Sequence, residues 1–532
     1  MSDYSTFARY GSRFPTLYPA RSGRRQRLHA ATLGLLLLVA ISWMMTQLSA
    51  EISTSGSNIP PPLLLSCALL LALGFVFVNG MHDTANAVTT VIYTGTLTPG
   101  RAVLISAIAN TLGVLLASGV VAWGVMSLLP PEGLLHRDAR DGYALIYALL
   151  LAAMSWNLAS WYFAIPSSSS HALLGAMLGV GCASSLLNGN SALSGIDWHQ
   201  AYRAGWTLLL SPILGFIAAG LLLLVMNMLL ANRQRVQPAD VHRPPPLWLR
   251  GMLLLTSSGV SFAHGANDGQ KGIGLIMVIL LVALPGAFAL NRALPERDLA
   301  HLTLLTAQAQ AQLPQRSDLT LPMAEQTLQN YRQQQRGQPT VLPALGRVTG
   351  SLHQQLSTLT RLDRLSPGEA TRLRLQMSLI GQTLHQLLSS PTPLTQNERS
   401  LLTALAEQLR HASSVIPWWV KIMVALTIGL GTLTGWQRIA ITIGERTGKA
   451  PLSAAQGASS ELITMTTLGV AEQFGLPVST TQVLTCGVAG SMVANRSALQ
   501  WSTLKRMGLV WLLTLPVCAL MAALFYTLLA AL

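Results

Sequence analysis

Two aspartates, Asp83 and Asp268, and two hydroxyl triplets, Ser168-Ser169-Ser170 and Ser479-Thr480-Thr481, stand within or beside long apolar runs. An ionisable group in such a run costs about 2.5–3.5 kcal/mol on insertion scales, so each aspartate calls for a cation or a proton as partner. The neighbours that could help hold one are His82 and Asn86 beside Asp83, and Asn267, Gln270 and Lys271 around Asp268. The bland alternative is a structural pair of Asp268 with Lys271, three residues on. Each triplet follows a proline, Pro166 or Pro477. A proline there halts one helix and opens the next, and the hydroxyls then fall in a first turn whose backbone N–H groups and dipole favour an anion. A tetrahedral oxyanion stripped of water needs such donors without a permanent neutralising charge. The simpler reading, that Ser168 and Ser479 only cap their own helices, is weakened by the triplet occurring twice.

These elements belong to an internal repeat. F-V-N-G-M-H-D-T-A-N-A from Phe77 aligns with F-A-H-G-A-N-D-G-Q-K-G from Phe262, matching Phe77, Gly80 and Asp83 to Phe262, Gly265 and Asp268. F-A-I-P-S-S-S-S-H from Phe163 aligns with F-G-L-P-V-S-T-T-Q from Phe474, with Gly179 and Gly490 further on. Two pairs in the same order predict two copies of one unit, whose meeting place in transporters is the substrate site.

The elements that must position these residues are membrane helices. Only 10% of the 532 residues are charged, 51% are hydrophobic, and the mean hydropathy is +0.45, which excludes an ordinary soluble protein. Apolar runs beginning near Leu28, Pro62, Arg101, Tyr143, Gly205, Leu247, Ile273, Pro417, Gln482 and Met507 are continuous rather than alternating, so helices are expected and a barrel is not. The fold class is an all-α polytopic membrane protein, an inverted-repeat transporter with re-entrant half-helices and about 10–12 transmembrane segments. The net charge of +14 is spread over loops rather than one basic face, which argues for topology and against nucleic acid.

Residues 1–27 form a basic tail containing Arg9, Arg13, Arg21, Arg24, Arg25 and Arg27, and the positive-inside rule puts it in the cytoplasm. The run after it is too long for a signal peptide. Residues 28–230 hold the first repeat. The loop 231–246, with Arg233, Arg235 and Arg243, is expected in the cytoplasm, and 247–290 opens the second repeat. Counting from a cytoplasmic start, the Phe77 helix runs inward and the Phe262 helix outward, so the copies are inverted. Residues 291–414 lose every spanning run and turn rich in Gln, Leu, Arg, Thr and Pro. They read as a solvated insert whose arginines favour the cytoplasmic side, with Leu352, Leu356, Leu359 and Leu362 at helical spacing and a linker near Gln333. Residues 415–532 complete the second repeat. Cys67, Cys182, Cys486 and Cys518 lie unpaired in apolar runs and suggest neither disulfides nor zinc.

A doubly charged oxyanion entering a negative interior meets roughly 4.6 kcal/mol of opposition at 100 mV. Uptake therefore needs accompanying protons, sodium or a divalent metal. A sulfate or arsenate carrier would use the same hydroxyl cradle. A hydrolase on Ser170 and His171 is poorly arranged, since adjacent helical residues point about 100° apart and the second copy has Gln482 instead. A channel has no need of paired inverted half-sites with buried aspartates.

At N-G-M-H-D-T-A-N-A, H-G-A-N-D-G-Q-K-G-I-G-L, W-Y-F-A-I-P-S-S-S-S-H, T-I-G-E-R-T-G-K and L-P-V-S-T-T, the chain resembles the inorganic phosphate transporter (Pit/PiT) family, and within it the bacterial low-affinity Pit type. The resemblance covers nearly the whole chain except the variable insert, which family members carry on the cytoplasmic side. It implies a multi-pass symporter of the bacterial inner membrane and no enzyme. It implies phosphate contacts at Ser168, Ser169, Ser170, Ser479, Thr480 and Thr481, and coupling at Asp83, Asn86, Asn267 and Asp268, with His82 beside them. The implied cargo is inorganic phosphate as a complex with a divalent metal such as magnesium, driven by protons, without a resident cofactor. Arsenate is expected as a mimic, and a homo-oligomer in the lipid bilayer is compatible with the class. Gln482 departs from the His common at that place, which His171 keeps in the first copy. Met81 and His82, in place of Ala and Asn, make sodium coupling the less favoured choice.

Overall fold

The computed structural model describes residues 23–55, 62–129, 139–189, 191–192, 195–229, 245–314, 316, 318–334, 340–363, 365–389, 394–413, 416–450 and 452–532. The tail before residue 23, most of the loop 231–246 and the linker beyond Gln334 lie outside them. Among the described residues the regular structure is helical throughout, with one isolated bridge between Gly448 and Leu499.

The membrane part begins with α1 (Gly23–Ser55), α2 (Pro62–Tyr93), α3 (Pro99–Leu116), the short α4 (Val120–Met126), α5 (Ala139–Tyr162), α6 (Ser169–Leu187) and α7 (Trp198–Leu229). It continues with α8 (Leu247–Ala283) and the single turn α9 (Pro285–Phe288). Five helices follow, α10 (Glu296–Gln312), α11 (Leu321–Gln334), α12 (Val341–Leu356), α13 (Pro367–Ser389) and α14 (Gln396–Ser413). The chain then returns through α15 (Trp418–Thr432), α16 (Gln437–Arg446), α17 (Ala454–Gln473), α18 (Thr480–Ala494) and α19 (Trp501–Ala531). Eight of the described helices are long and apolar enough to cross a membrane: α1, α2, α3, α5, α6, α7, α8 and α19. The shorter α15 and α18 and the more polar α17 pack among them and bring the bundle to eleven.

The two halves exchange partners across a pseudo-two-fold axis. Gly265 of α8 abuts the carbonyl of Asn110 on α3, and the matching Gly80 of α2 abuts that of Ile428 on α15. Likewise Gly113 meets the carbonyl of Phe262, while Gly431 meets that of Phe77. Past the triplets, Gly175 and Gly179 of α6 lie against Leu515 and Ala519 of α19, and Gly490 of α18 lies against Phe216 of α7. The small residues are required because backbone meets backbone at these crossings.

The signature helices run antiparallel. Asn79, Asp83 and Ala87 of α2 bond in turn to Asp268, His264 and Ser257 of α8, a descending order that only opposed helices produce. The inversion expected from the sequence is thus present in the packing.

Two expectations need correction. Spans were expected to begin separately near Leu247 and Ile273, but α8 is one continuous helix of 37 residues, because its polar centre is buried against α2 and α3 and never reaches lipid. The loop 231–246 precedes α8 and the insert follows it, so the two adjoin opposite ends of that helix. The insert is also more than short amphipathic helices. It has its own core, with Leu302, Leu328, Leu345, Leu352, Leu356, Ile380 and Leu405 fully buried. Leu359 and Leu362 lie past the end of α12. Its two ends are tied together where Arg374 donates to the carbonyls of Ala289 and Ser413.

Candidate functional site

The repeat motifs converge where α2 and α8 cross. Ser168 and Ser479 are the N-cap residues of α6 and α18 with nearly the same backbone, φ −104°, ψ 110° and φ −103°, ψ 103°. Each accepts the amide of the residue three on, His171 at 3.2 Å and Gln482 at 3.4 Å. Both serines therefore cap their helices, and the residues after them, Ser169 and Ser170 or Thr480 and Thr481, supply first-turn amides without intrahelical acceptors. The turns before the triplets also match, since Ala164 and Gly475 both take left-handed φ values of 56° and 65°.

Asp83 and Asp268 are 5% and 2% exposed. Asp83 Oδ1 accepts Thr481 Oγ1 at 2.5 Å and Asn86 Nδ2 at 2.9 Å, while Asn86 Nδ2 also reaches Thr481 Oγ1 at 3.0 Å. Asp268 accepts Lys271 Nζ at 2.6 Å on Oδ1, and Ser169 Oγ at 3.3 Å and Asn79 Nδ2 at 3.4 Å on Oδ2. The aspartate of the first repeat thus touches the second triplet, and that of the second repeat touches the first. The two re-entrant loops also meet directly, Ser170 Oγ donating to the Val478 carbonyl at 2.7 Å.

Between the carboxylates sits His264, which sequence reasoning passed over. Its Nε2 is 3.3 Å from Asp83 Oδ2 and 3.6 Å from Asp268 Oδ2. On its other side, Nδ1 is 2.8 Å from Asn110 Oδ1. Thr432 Oγ1 donates to the Ile428 carbonyl and so accepts Asn110 Nδ2 at 3.0 Å. That chain turns the Asn110 carbonyl toward His264 and makes Nδ1 a donor. One atom each from Asp83, His264 and Asp268 lie within 4.8 Å of one another, a set able to hold a proton or to close on a small cation.

His82, expected to assist Asp83, faces away: its Nε2 lies 3.4 Å from Ser160 Oγ, which is 2.7 Å from Ser167 Oγ in the first re-entrant loop. Asn267, its counterpart, likewise braces the second loop, donating to the Leu476 carbonyl at 3.1 Å. Thr480 Oγ1 and Gln482 Oε1 are buried without a hydrogen-bond partner, as are Asn79 Oδ1 and Asn86 Oδ1, so unspent polar atoms gather at this crossing. His171 Nδ1 faces Ser168 Oγ at 2.8 Å and Ser170 is committed to Val478, so the nucleophile and base of a hydrolase are not brought together. A second residue missed in the sequence is Glu461 on α17. It is fully buried and receives the hydroxyls of Thr90 on α2 and Thr256 on α8, which ties the scaffold to both signature helices.

A family model described as the phosphate transporter family, PHO4, matches residues 79–522. The chain belongs to the phosphate transporter family. The match spans both repeats, and similarity to relatives extends over most of the chain. The low-affinity inorganic phosphate transporter PitA of Escherichia coli (strain K12) is 34% identical over 491 residues, 89% of this chain and 98% of the relative. PitB of the same strain is 35% identical over 480 residues, 87% and 95% of the two chains. A probable low-affinity inorganic phosphate transporter of Bacillus subtilis (strain 168) is 25% identical over 459 residues, 86% and 95%. Among solved structures, one described as the sodium-dependent phosphate transporter aligns over 88% of this chain and 100% of its own, with a TM-score of 0.47 and 19% identity. As a member of this family the chain is a multi-pass membrane transporter and not an enzyme.

Proposed function

We propose that this phosphate transporter family member is a low-affinity importer of inorganic phosphate in the bacterial inner membrane, driven by protons and working by alternating access. The observation that carries the reading is the contact of each hydroxyl-rich helix start with the aspartate of the opposite repeat. Phosphate oxygens would take the first-turn amides and hydroxyls of Ser168, Ser169, Ser170, Ser479, Thr480 and Thr481, and Asp83, Asn86 and Asp268 would hold the accompanying charge, with Asn267 bracing the second loop beside them. The metal-phosphate complex, with magnesium as the natural choice, lowers the charge that the cradle must carry.

His264 supports protons as the coupling ion. With Nδ1 donating to Asn110, a neutral imidazole would aim its Nε2 lone pair at two carboxylates. A proton there turns repulsion into two charge-assisted contacts. Counted together, two carboxylates, the Lys271 ammonium and a protonated His264 are neutral, whereas the same cluster without that proton carries an uncompensated buried charge.

In proteoliposomes with an imposed pH gradient, radiolabelled phosphate should enter in proportion to the gradient, require a divalent metal and be competed by arsenate. Uptake that tracks sodium instead would overturn the coupling, and uptake of sulfate without phosphate would overturn the cargo.

The same reading sets the topology. The end of the bundle near the loop 231–246 bears Arg101, Arg250, Arg438, Arg446, Lys449, Arg496, Lys505 and Arg506, against Arg140, Arg203 and Lys421 at the insert's end. Long inserts are not counted by the positive-inside rule, so the loop end is cytoplasmic and the five-helix insert lies outside. Met323→Cys in the insert should then react with a membrane-impermeant maleimide on intact cells, and Ala498→Cys only after permeabilisation. The reverse pattern would place the insert in the cytoplasm.

A further inference from the structure

We infer that Lys271 is a resident cation that fills the second of two pseudo-equivalent cation half-sites, leaving this chain one exchangeable site where its architecture provides two. The repeat that matches Asp83 to Asp268 also matches Asn86 to Lys271 and Thr481 to Ser170. In the first half-site a carboxylate, a hydroxyl and an amide, hydrogen-bonded to one another, meet at a point between the helix crossing and the second loop. The matching point of the second half-site is taken by an ammonium.

Lys271 Nζ lies 2.6 Å from Asp268 Oδ1, 2.5 Å from Ser170 Oγ and 2.9 Å from the Val478 carbonyl. A carboxylate, a hydroxyl and a backbone carbonyl are the oxygen ligands of a small hard cation, and here they come from α8 and from both re-entrant loops. The ammonium is 1% exposed, too buried to be a solvated surface charge, and its three donors meet three acceptors. In the first half-site the shorter Asn86 leaves its own Oδ1 unpartnered. At the position that the repeat matches to Lys271, an acceptor is therefore left over where the ammonium of the second half-site meets three. A covalently attached charge cannot leave with the cargo, so the second half-site holds no exchangeable metal cation, while Asp268 Oδ2 still faces the proton site at His264.

The inference deepens the proposed function, since it takes the two aspartate-centred half-sites as coupling sites. Its test is the thermal unfolding of the purified full-length chain in sodium, lithium or potassium chloride, each against choline chloride at equal ionic strength. The wild type should show no cation-specific shift, and Lys271→Arg should behave like it. Lys271→Asn, and Lys271→Gln as a longer amide, should each gain about 5 °C in Tm in at least one of the three salts. Phosphate uptake by the same variants should rise about tenfold with that cation. Folded variants indifferent to all three salts, a wild type that responds as they do, or variants that fold in none of the salts would each overturn the inference. The unfolding readout needs no phosphate, so its failure leaves the cargo reading standing, and failed wild-type uptake leaves the Tm comparison intact.

Discussion

Asp83→Asn and Asp268→Asn, assayed separately in proteoliposomes, should each lower proton-driven phosphate uptake by at least about 100-fold. Asp83 accepts hydrogen bonds from Thr481 and Asn86 and faces His264. An amide removes the charge and turns an N–H₂ group toward at least one of these donors. Two charged hydrogen bonds at about 1.5–3 kcal/mol each are then at stake, and every 1.4 kcal/mol is a factor of ten. The two variants should differ in stability. Asp268→Asn leaves the Lys271 ammonium buried without its carboxylate, a defect costing about 3–5 kcal/mol, so its Tm should fall as well. Asp83→Asn leaves His264 free to give up its proton and should stay closer to the wild type. Uptake within about tenfold of wild type in a folded Asp83→Asn protein would show that the first half-site does not couple.

The aspartates and hydroxyl triplets were legible because each type is costly in an apolar run and each recurs in the repeat. Their cross-pairing, Asp83 with Thr481 and Asp268 with Ser169, was not legible, because contacts 398 and 99 residues apart leave no local trace. His264 had a signal that was not used. It precedes Asp268 by four residues and therefore shares a helix face with it, whereas His82, next to Asp83, points about 100° away. The repeat aligns His264 with Asn79, which bonds the opposite aspartate in the same manner. The Asp268–Lys271 contact, weighed in the sequence as the structural alternative, is present, and the reach of Lys271 to Ser170 and Val478 is what sequence spacing could not reveal. Composition separated the insert from the membrane part, but the polar centre of α8 looked like a break between two spans. Glu461 was hidden in S-S-E-L-I-T, a stretch too polar to be read as a buried helix until Thr90 and Thr256 were seen to satisfy it.

Gly80→Ala and Gly265→Ala should each destabilise the protein by about 3 kcal/mol, the upper range for forced overpacking, and abolish uptake. A helical Gly→Ala change in open space has the opposite sign, since alanine is favoured by about 0.5–1 kcal/mol. Gly508 of α19 has nothing within 4 Å of a built Cβ, so Gly508→Ala should raise Tm slightly and leave uptake unchanged. At Gly265 the new methyl would overlap the backbone carbonyl of Asn110, and at Gly80 that of Ile428. Carbonyls within helices cannot rotate aside, so α3 or α15 must move bodily. Asn110 is also the residue that orients His264, and Ile428 accepts the Thr432 hydroxyl that fixes Asn110. A shift at either glycine therefore reaches the same imidazole through Asn110. Tm curves and uptake for the three variants check this, and a Gly265→Ala protein as stable as Gly508→Ala would mean that the two helices do not approach as closely as described. Equal losses at Gly80 and Gly265 would further indicate that the two halves brace one shared centre, whereas a loss at only one would assign that centre to a single repeat.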